Sequence, residues 1–462
     1  MPFAITLAAA TSAYAAEVGK DSVISEPLAI SAAIDVGQIV SGWSQNPQAS
    51  LDGQFLQRTG VWLTQRASIG GRFDLTMGVG GMFWHALPEQ RNSPLSVSTR
   101  FGPGISRAFG VYKFGDLEAP AATLQMGYFP FKYNPEATNL GEYLLRSGTY
   151  PGTLVTGGWN IITSAAYMMQ GLRLTVPLWD GRFVSDFVLP MERDLPPMYS
   201  LSPTYVATLK LFPGLELGAG VVWNHGIPIK PSKESPHTES NRVILSRTLN
   251  PDTMAVGDGS GGEYYLYTYD TSSYYTFQGL KIGGRISLDP KAFLRETSMG
   301  PQDLKIYAEV AVLGWKNYPF LYEKRSERMP MMAGFNFPTF RLLDLLSIEV
   351  QYYKSGFENN IYQVFMSQVP TWTLVDPSGL ALGKGYAAVA AKAAEQNERI
   401  AGDNLKWSVY AKKEVYKGLR LYAQVASDHM RPTDVNQNPF SVPVTNGNGK
   451  EWYYLLRLEF GI

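Results

Sequence analysis

Apolar and polar residues alternate one by one along most of the chain from Leu28 onward, the period of a strand with two unlike faces. The last segment is the clearest: Tyr454, Leu456, Leu458, Phe460 and Ile462 share one face, and Leu455, Arg457, Glu459 and Gly461 the other. The same parity sets Leu172, Leu174 and Val176 against Gly171, Arg173 and Thr175. It also sets Leu304, Ile306, Ala308, Val310 and Val312 against Lys305, Tyr307 and Glu309. Charges therefore fall inside strands and not only at their ends. A soluble sandwich and a membrane barrel both satisfy such a pattern, so alternation alone leaves both open.

The connections separate the two. The pattern predicts strands over about 28–43, 59–70, 73–86, 104–115, 121–131, 165–177, 181–191, 201–213, 215–226, 272–289, 302–315, 330–338, 344–356, 404–414, 417–430 and 451–462. Joined in order, they alternate between short turns and long loops. The turns include Gly70-Gly71-Arg72, Trp179-Asp180-Gly181, Phe212-Pro213-Gly214 and Tyr416-Lys417-Gly418; the loops include 132–164, 227–271, 357–403 and 431–450. With the N-terminus on the turn side, every turn falls on one rim and every long loop on the other, 290–301 being the one turn of awkward length. Trp43, Trp84, Trp223, Trp315, Tyr352 and Trp452 lie near loop ends, and Phe73, Phe114, Trp179, Phe212 and Phe460 near turn ends, as two interfacial belts would. The expected fold is all-β: a single transmembrane antiparallel up-and-down β-barrel of about sixteen strands, with short periplasmic turns and long extracellular loops.

Composition agrees and narrows the chemistry. A chain of 462 residues stays in one domain only if its architecture grows by repetition, as barrels do. Lysines plus arginines equal acids at 40 each, so no net charge recruits nucleic acid. The absence of cysteine excludes disulfides, thiolate metal sites and a cysteine nucleophile. His85, His225, His237 and His429 are scattered, and no nucleophile elbow or phosphate-cradling loop occurs, so the expectation is no enzyme, no cofactor and no metal. No apolar run reaches the length of a membrane helix. The apolar start leads to Ala13-Tyr14-Ala15, a small-x-small cleavage pattern, so residues 1–15 read as a signal peptide, 16–27 as a periplasmic lead and 28–462 as the barrel. No basic residue precedes Lys20, which points to a shortened start.

In strand number, loop asymmetry and its aromatic, alternating final strand, the chain resembles the general diffusion porins and related substrate-specific porins. The resemblance covers nearly all of the chain after the export segment, in architecture and not in motif. Members of that family usually end in Phe; this chain ends Phe460-Gly461-Ile462. The resemblance implies a bacterial outer-membrane location among lipid and a final strand, Tyr454, Leu456, Leu458, Phe460 and Ile462, read by the barrel-assembly machinery. It also implies a homotrimer.

In that family the loop between the fifth and sixth strands folds inward as a constriction, and the corresponding segment here is 132–164. A surface lid or a protein-contact loop remain alternatives for it. Glu136 and Glu142 are the acids expected opposite basic wall residues, with Arg146 in the same loop, and Asn139 is expected to cap a short helix ending near Gly148.

Parity points Arg66, Arg72, Arg107, Lys113, Arg173, Lys210, Lys281, Arg285, Lys305, Lys406, Lys412, Arg420 and Arg457 into the lumen, against Asp74, Glu216, Glu309, Glu349 and Glu459. That excess favours anions mildly, unless the charges pair internally. The expected function is passive diffusion of small hydrophilic solutes. A saccharide-specific channel or a structural or adhesive barrel are the alternatives. The alanine-rich stretch 385–399 is expected to form an external helix, and the tip of 227–271 to be flexible.

Overall fold

A computed structural model of the protein describes residues 23–41, 55–86, 100–145, 167–191, 201–224, 226–227, 242–249, 254–257, 263–266, 269–276, 279–294, 298–315, 324–353, 405–427 and 451–461. The strands are β1 (Val23–Ser25), β2 (Ala29–Ser41), β3 (Phe55–Ile69), β4 (Phe73–Ala86), β5 (Arg100–Gly115), β6 (Pro120–Phe131), β7 (Tyr167–Leu178), β8 (Phe183–Pro190), β9 (Thr204–Phe212), β10 (Leu215–Asn224), β11 (Arg242–Leu249), β12 (Met254–Gly257), β13 (Glu263–Leu266), β14 (Tyr269–Thr276), β15 (Gly279–Leu288), β16 (Ile306–Val312), β17 (Met331–Asn336), β18 (Leu345–Tyr352), β19 (Leu405–Tyr416), β20 (Leu419–Ser427) and β21 (Glu451–Gly461). Strands β2 to β10 pair antiparallel in sequence, β10 pairs with β15, and the series runs on to β21. β21 then pairs back onto β2, from Ser31↔Gly461 to Ser41↔Glu451. The circuit closes with sixteen strands, and a closed sheet has no free edge.

β1 is the exception to the simple reading. It pairs with β3 at Val23↔Ile69 through Ser25↔Ala67, and the register slips by one residue before β2 resumes at Ala29↔Thr64. Pro27, with no N–H to donate, sits in that slip. Residues 23–25, assigned by pattern to a lead ahead of the barrel, thus belong to its sheet.

All sixteen expected strands are present, with ends shifted by a few residues. The largest shift is at 272–289, where β14 ends at Thr276 and the barrel strand β15 begins at Gly279. β11 pairs with β14 and β12 with β13, forming ladders within the long connection between β10 and β15. The awkward turn after β15 holds a 3-10 turn, Pro290–Phe293, capped by Asp289, which accepts from Lys291 N at 3.0 Å. Asp303 braces the same rim, accepting from Gly300 N at 2.8 Å and Phe340 N at 3.0 Å across two turns. The expected signal peptide and external helix lie outside the described residues.

Side-chain exposure is inverted relative to a water-soluble fold. On β21, Leu456, Leu458 and Phe460 are 53%, 38% and 44% exposed, whereas Leu455 and Arg457 are 2% and 5% exposed. Ile30, Ile34, Met126, Phe187, Ile286, Val310 and Leu405 continue the exposed apolar surface, while Asp35, Lys281, Glu309, Glu349 and Lys406 are buried inside. Soluble monomers rarely show contiguous apolar patches beyond a few hundred Å2, whereas these exposed apolar residues are spread around a closed barrel. Glycines let inward rings lie flat on the wall. A Cβ at Gly334 would stand 2.2 Å from the Tyr307 ring, and one at Gly80 2.5 Å from Trp62.

Candidate functional site

After β6 the chain turns into the barrel instead of rising out of it. In the segment 132–145, Asn134, Ala137, Asn139, Leu140, Tyr143 and Leu144 are each 1% exposed, a burial no surface lid would have. Two unlike attachments hold it there.

The first is apolar. Leu144, Leu145 and Tyr133 pack with Phe129, Phe131, Met169, Val188, Val206 and Val222, with Phe109 at the edge. Gly220 makes room, since a Cβ there would fall 2.4 Å from the Leu144 side chain. Fully burying one leucine side chain contributes about 1.5–3 kcal/mol.

The second is polar and reaches the opposite wall. An irregular buried segment must satisfy its backbone N–H groups, and here wall carboxylates accept them. Glu309 on β16 accepts from Glu142 N at 2.9 Å, Tyr143 N at 2.8 Å and Asn134 Nδ2 at 3.0 Å. Glu349 on β18 accepts from Asn139 N and Leu140 N, both at 2.8 Å, from Thr138 N, and from the Tyr307 hydroxyl at 2.9 Å. Asn139 Nδ2 donates to Ser408 Oγ at 2.9 Å, and the Tyr143 hydroxyl donates to Gln351 Oε1 at 3.1 Å. Bonds to an ionised acceptor are roughly twice as strong as neutral ones.

The two loop acids have different partners. Glu136 meets a basic residue, Lys305, at 2.9 Å. Glu142 does not face a basic wall residue: its carboxylate accepts from Tyr133 N at 2.9 Å and from Asn134 N. Burial, then the neighbouring Glu309 charge, pushes the Glu142 carboxyl up to about 7, against the pull of Lys132 and the two amides. Gly141 and Glu142 both have left-handed backbone, φ 85° and 61°, and a Cβ at Gly141 would stand 2.9 Å from Glu309 Oε2. The expected short helix is absent from 139–145, because the amides that would build it donate to Glu309 and Glu349. Arg146 lies outside the described residues.

Most wall cations are paired. Lys113 meets Asp74 at 2.8 Å, Arg173 meets Asp186 at 2.8 Å, Arg285 meets Glu216 at 2.6 Å, Arg420 meets Glu459 at 2.9 Å and Arg457 meets Asp35 at 2.8 Å. Asp35 and Asp186 were not among the expected lumen acids. Parity with the outward Ile34 and Phe187 would have found both. Lys281 and Lys406 are buried inside, at 2% and 0% exposure. Arg72 is a turn residue and not a wall residue: it donates to the Gly115 carbonyl at 3.1 Å. Arg66 is exposed near the turn rim, 3.8 Å from Glu26. Arg107, Lys210 and Lys412 form no ion pair among the described residues, Lys412 standing 5.6 Å from the Tyr422 ring centroid.

No family model matches the chain, and no curated protein matches it. Solved porin structures are similar to it. A mutant of the Rh. blastica porin is 7% identical, with a TM-score of 0.41 over 95% of this chain and 100% of that one. The Salmonella typhi OmpF complex with daunomycin is 9% identical, with a TM-score of 0.44 over 96% of this chain and 98% of that one. The closed circuit of sixteen strands rests on this chain's own pairing.

Proposed function

We propose that the protein is a passive channel for small hydrophilic solutes in a bacterial outer membrane, narrowed by the segment 132–145 and mildly selective for anions. The observation that carries this reading is a polar lumen inside a barrel with an exposed apolar outer surface, crossed by a loop tied to both walls. A barrel of this strand number is too wide for wall side chains to fill, so a fixed inward loop sets the aperture.

The charge pattern supports the anion preference. The wall acids Asp35, Asp74, Asp186, Glu216 and Glu459 each bond a cation, and Glu309 and Glu349 each bond loop amides. Arg107, Lys210 and Lys412 have no acidic partner among the described residues, so the uncompensated charge is positive. This reading carries with it export by residues 1–15, insertion by the barrel-assembly machinery through the final strand, and assembly as a homotrimer. Planar-bilayer recording tests it. Discrete conductance steps and a reversal potential of anion-selective sign in a KCl gradient are expected, whereas a silent barrel or clear cation selectivity would refute the reading.

A further inference from the structure

On the turn side of the loop the wall forms a half-open cavity of about 550 Å3, lined among others by Glu136, Arg182, Lys210, Glu216, Asp289 and Lys305. Small-molecule sites fall in the range of about 300–1,000 Å3. Its roof includes Glu136 of the inward segment, fixed by Lys305 at 2.9 Å.

The charges around it are unevenly satisfied. Each lining acid already has a cation: Glu136 has Lys305 at 2.9 Å, Glu216 has Arg285 at 2.6 Å, and Asp289 has Lys291 at 3.0 Å. Arg182 and Lys210 have no carboxylate partner among the described residues. Lys210 pairs across strands with Glu216, but that carboxylate is bonded to Arg285. The two residues face each other across the β8–β9 ladder, Lys210 N donating to the Arg182 carbonyl at 2.8 Å, so their side chains leave the same face of the sheet. Two adjacent like charges without a counter-charge, beside a cavity whose acids are neutralised, set a positive potential inside it.

We propose that this cavity binds a small solute carrying two or more carboxylate or phosphate groups, held by Arg182 and Lys210. A solute of that class matches both cations at once, whereas a monoanion or a neutral sugar leaves one or both uncompensated. Binding does not require conduction, so this proposal can fail or succeed apart from the channel reading.

Isothermal titration calorimetry on the full chain in detergent tests it, with citrate and inorganic pyrophosphate as probes. One saturable site per chain is expected for citrate, displaced by pyrophosphate. The double variant Arg182→Gln/Lys210→Gln weakens it at least tenfold, whereas Lys413→Gln/Lys417→Gln, which removes two rim cations outside the cavity, leaves it within twofold. Equal weakening in both double variants shows a diffuse rim charge and overturns the proposal. So does the absence of saturable binding to the wild-type chain, or several equivalents bound per chain, and these wild-type results stand even where a variant does not fold.

Discussion

Replacing Glu309 by Gln tests whether wall carboxylates anchor the inward segment. Glu309 Oε1 accepts from Tyr143 N at 2.8 Å, and Oε2 accepts from Glu142 N at 2.9 Å and Asn134 Nδ2 at 3.0 Å. A glutamine has one acceptor oxygen and one NH2 group, so its best orientation keeps the two bonds at the Oε2 position and turns a donor toward Tyr143 N. That leaves one buried amide unsatisfied, costing about 1–3 kcal/mol, and demotes the other two bonds from charge-assisted to neutral, costing about 1 kcal/mol each. Together these come to about 3–5 kcal/mol, and even the lower figure of about 3 kcal/mol corresponds to roughly a hundredfold change in the loop's opening equilibrium.

Amide hydrogen exchange reads that equilibrium directly. In Glu309→Gln, exchange at Glu142 and Tyr143 rises by about a hundredfold or more, while the ladder between β17 and β18 keeps its protection, because its bonds are backbone to backbone. Glu349→Gln shifts the effect to Thr138, Asn139 and Leu140, whose amides that carboxylate accepts. In a bilayer the Glu309 variant shows larger open-channel noise. Equal exchange at Glu142 and Tyr143 in variant and wild type refutes the anchoring role.

Gly334→Ala drives a methyl group toward the Tyr307 ring, whose carbon atoms would lie 2.2 Å away. It lowers stability in urea unfolding by about 1–3 kcal/mol, whereas Gly104→Ala, with nothing within 4 Å of the new atom, stays near wild type. Asp35→Ala strips its partner from Arg457, which is 5% exposed at the seam where β2 meets β21, and costs about 3–5 kcal/mol in the same assay. The double variant Asp35→Ala/Arg457→Leu recovers part of that loss, and failure to do so counts against loss of the Asp35–Arg457 pair as its cause. Glu142 keeps its proton in the folded loop up to about 7 while the unfolded chain releases it near 4.5, so loop stability falls as pH rises through that interval. Exchange at Tyr133 and Asn134 increases accordingly between those pH values, and Glu142→Gln flattens the dependence.

Strand existence was legible because each barrel strand carries enough period-two positions to fix its parity, and the chain-long order of turns and loops then fixes the circuit. Parity was less informative at strand ends. It continued past β3 to Arg72, which is a turn residue, and past the start of β16 to Lys305, which bonds the loop. Inside the lumen it tells which side a residue faces and nothing about its partner. Arg457 bonds Asp35 at a separation of 422 residues, and Asn139 bonds Ser408 at 269, distances over which no local pattern carries information. The helix expected after Asn139 failed for the same reason. Local propensity favoured a cap, and distant carboxylates offered the amides stronger acceptors.

The acids of the lumen show why counting inward charges overstates a pore's field. Glu309 and Glu349 are inward, buried and ionisable, yet their oxygens are occupied by backbone amides of 138–143. A carboxylate surrounded by donors projects a weakened field toward a passing ion, because the dipoles of those donors oppose it although its net charge remains. Arg173 and Arg285 are offset in the same way by Asp186 and Glu216. What an ion would sense is the residue of this cancellation, concentrated at Arg107, Lys210 and Lys412. Neutralising Lys210 alone, or Lys412 alone, should therefore move the reversal potential further than neutralising Arg173, although each substitution removes the same formal charge.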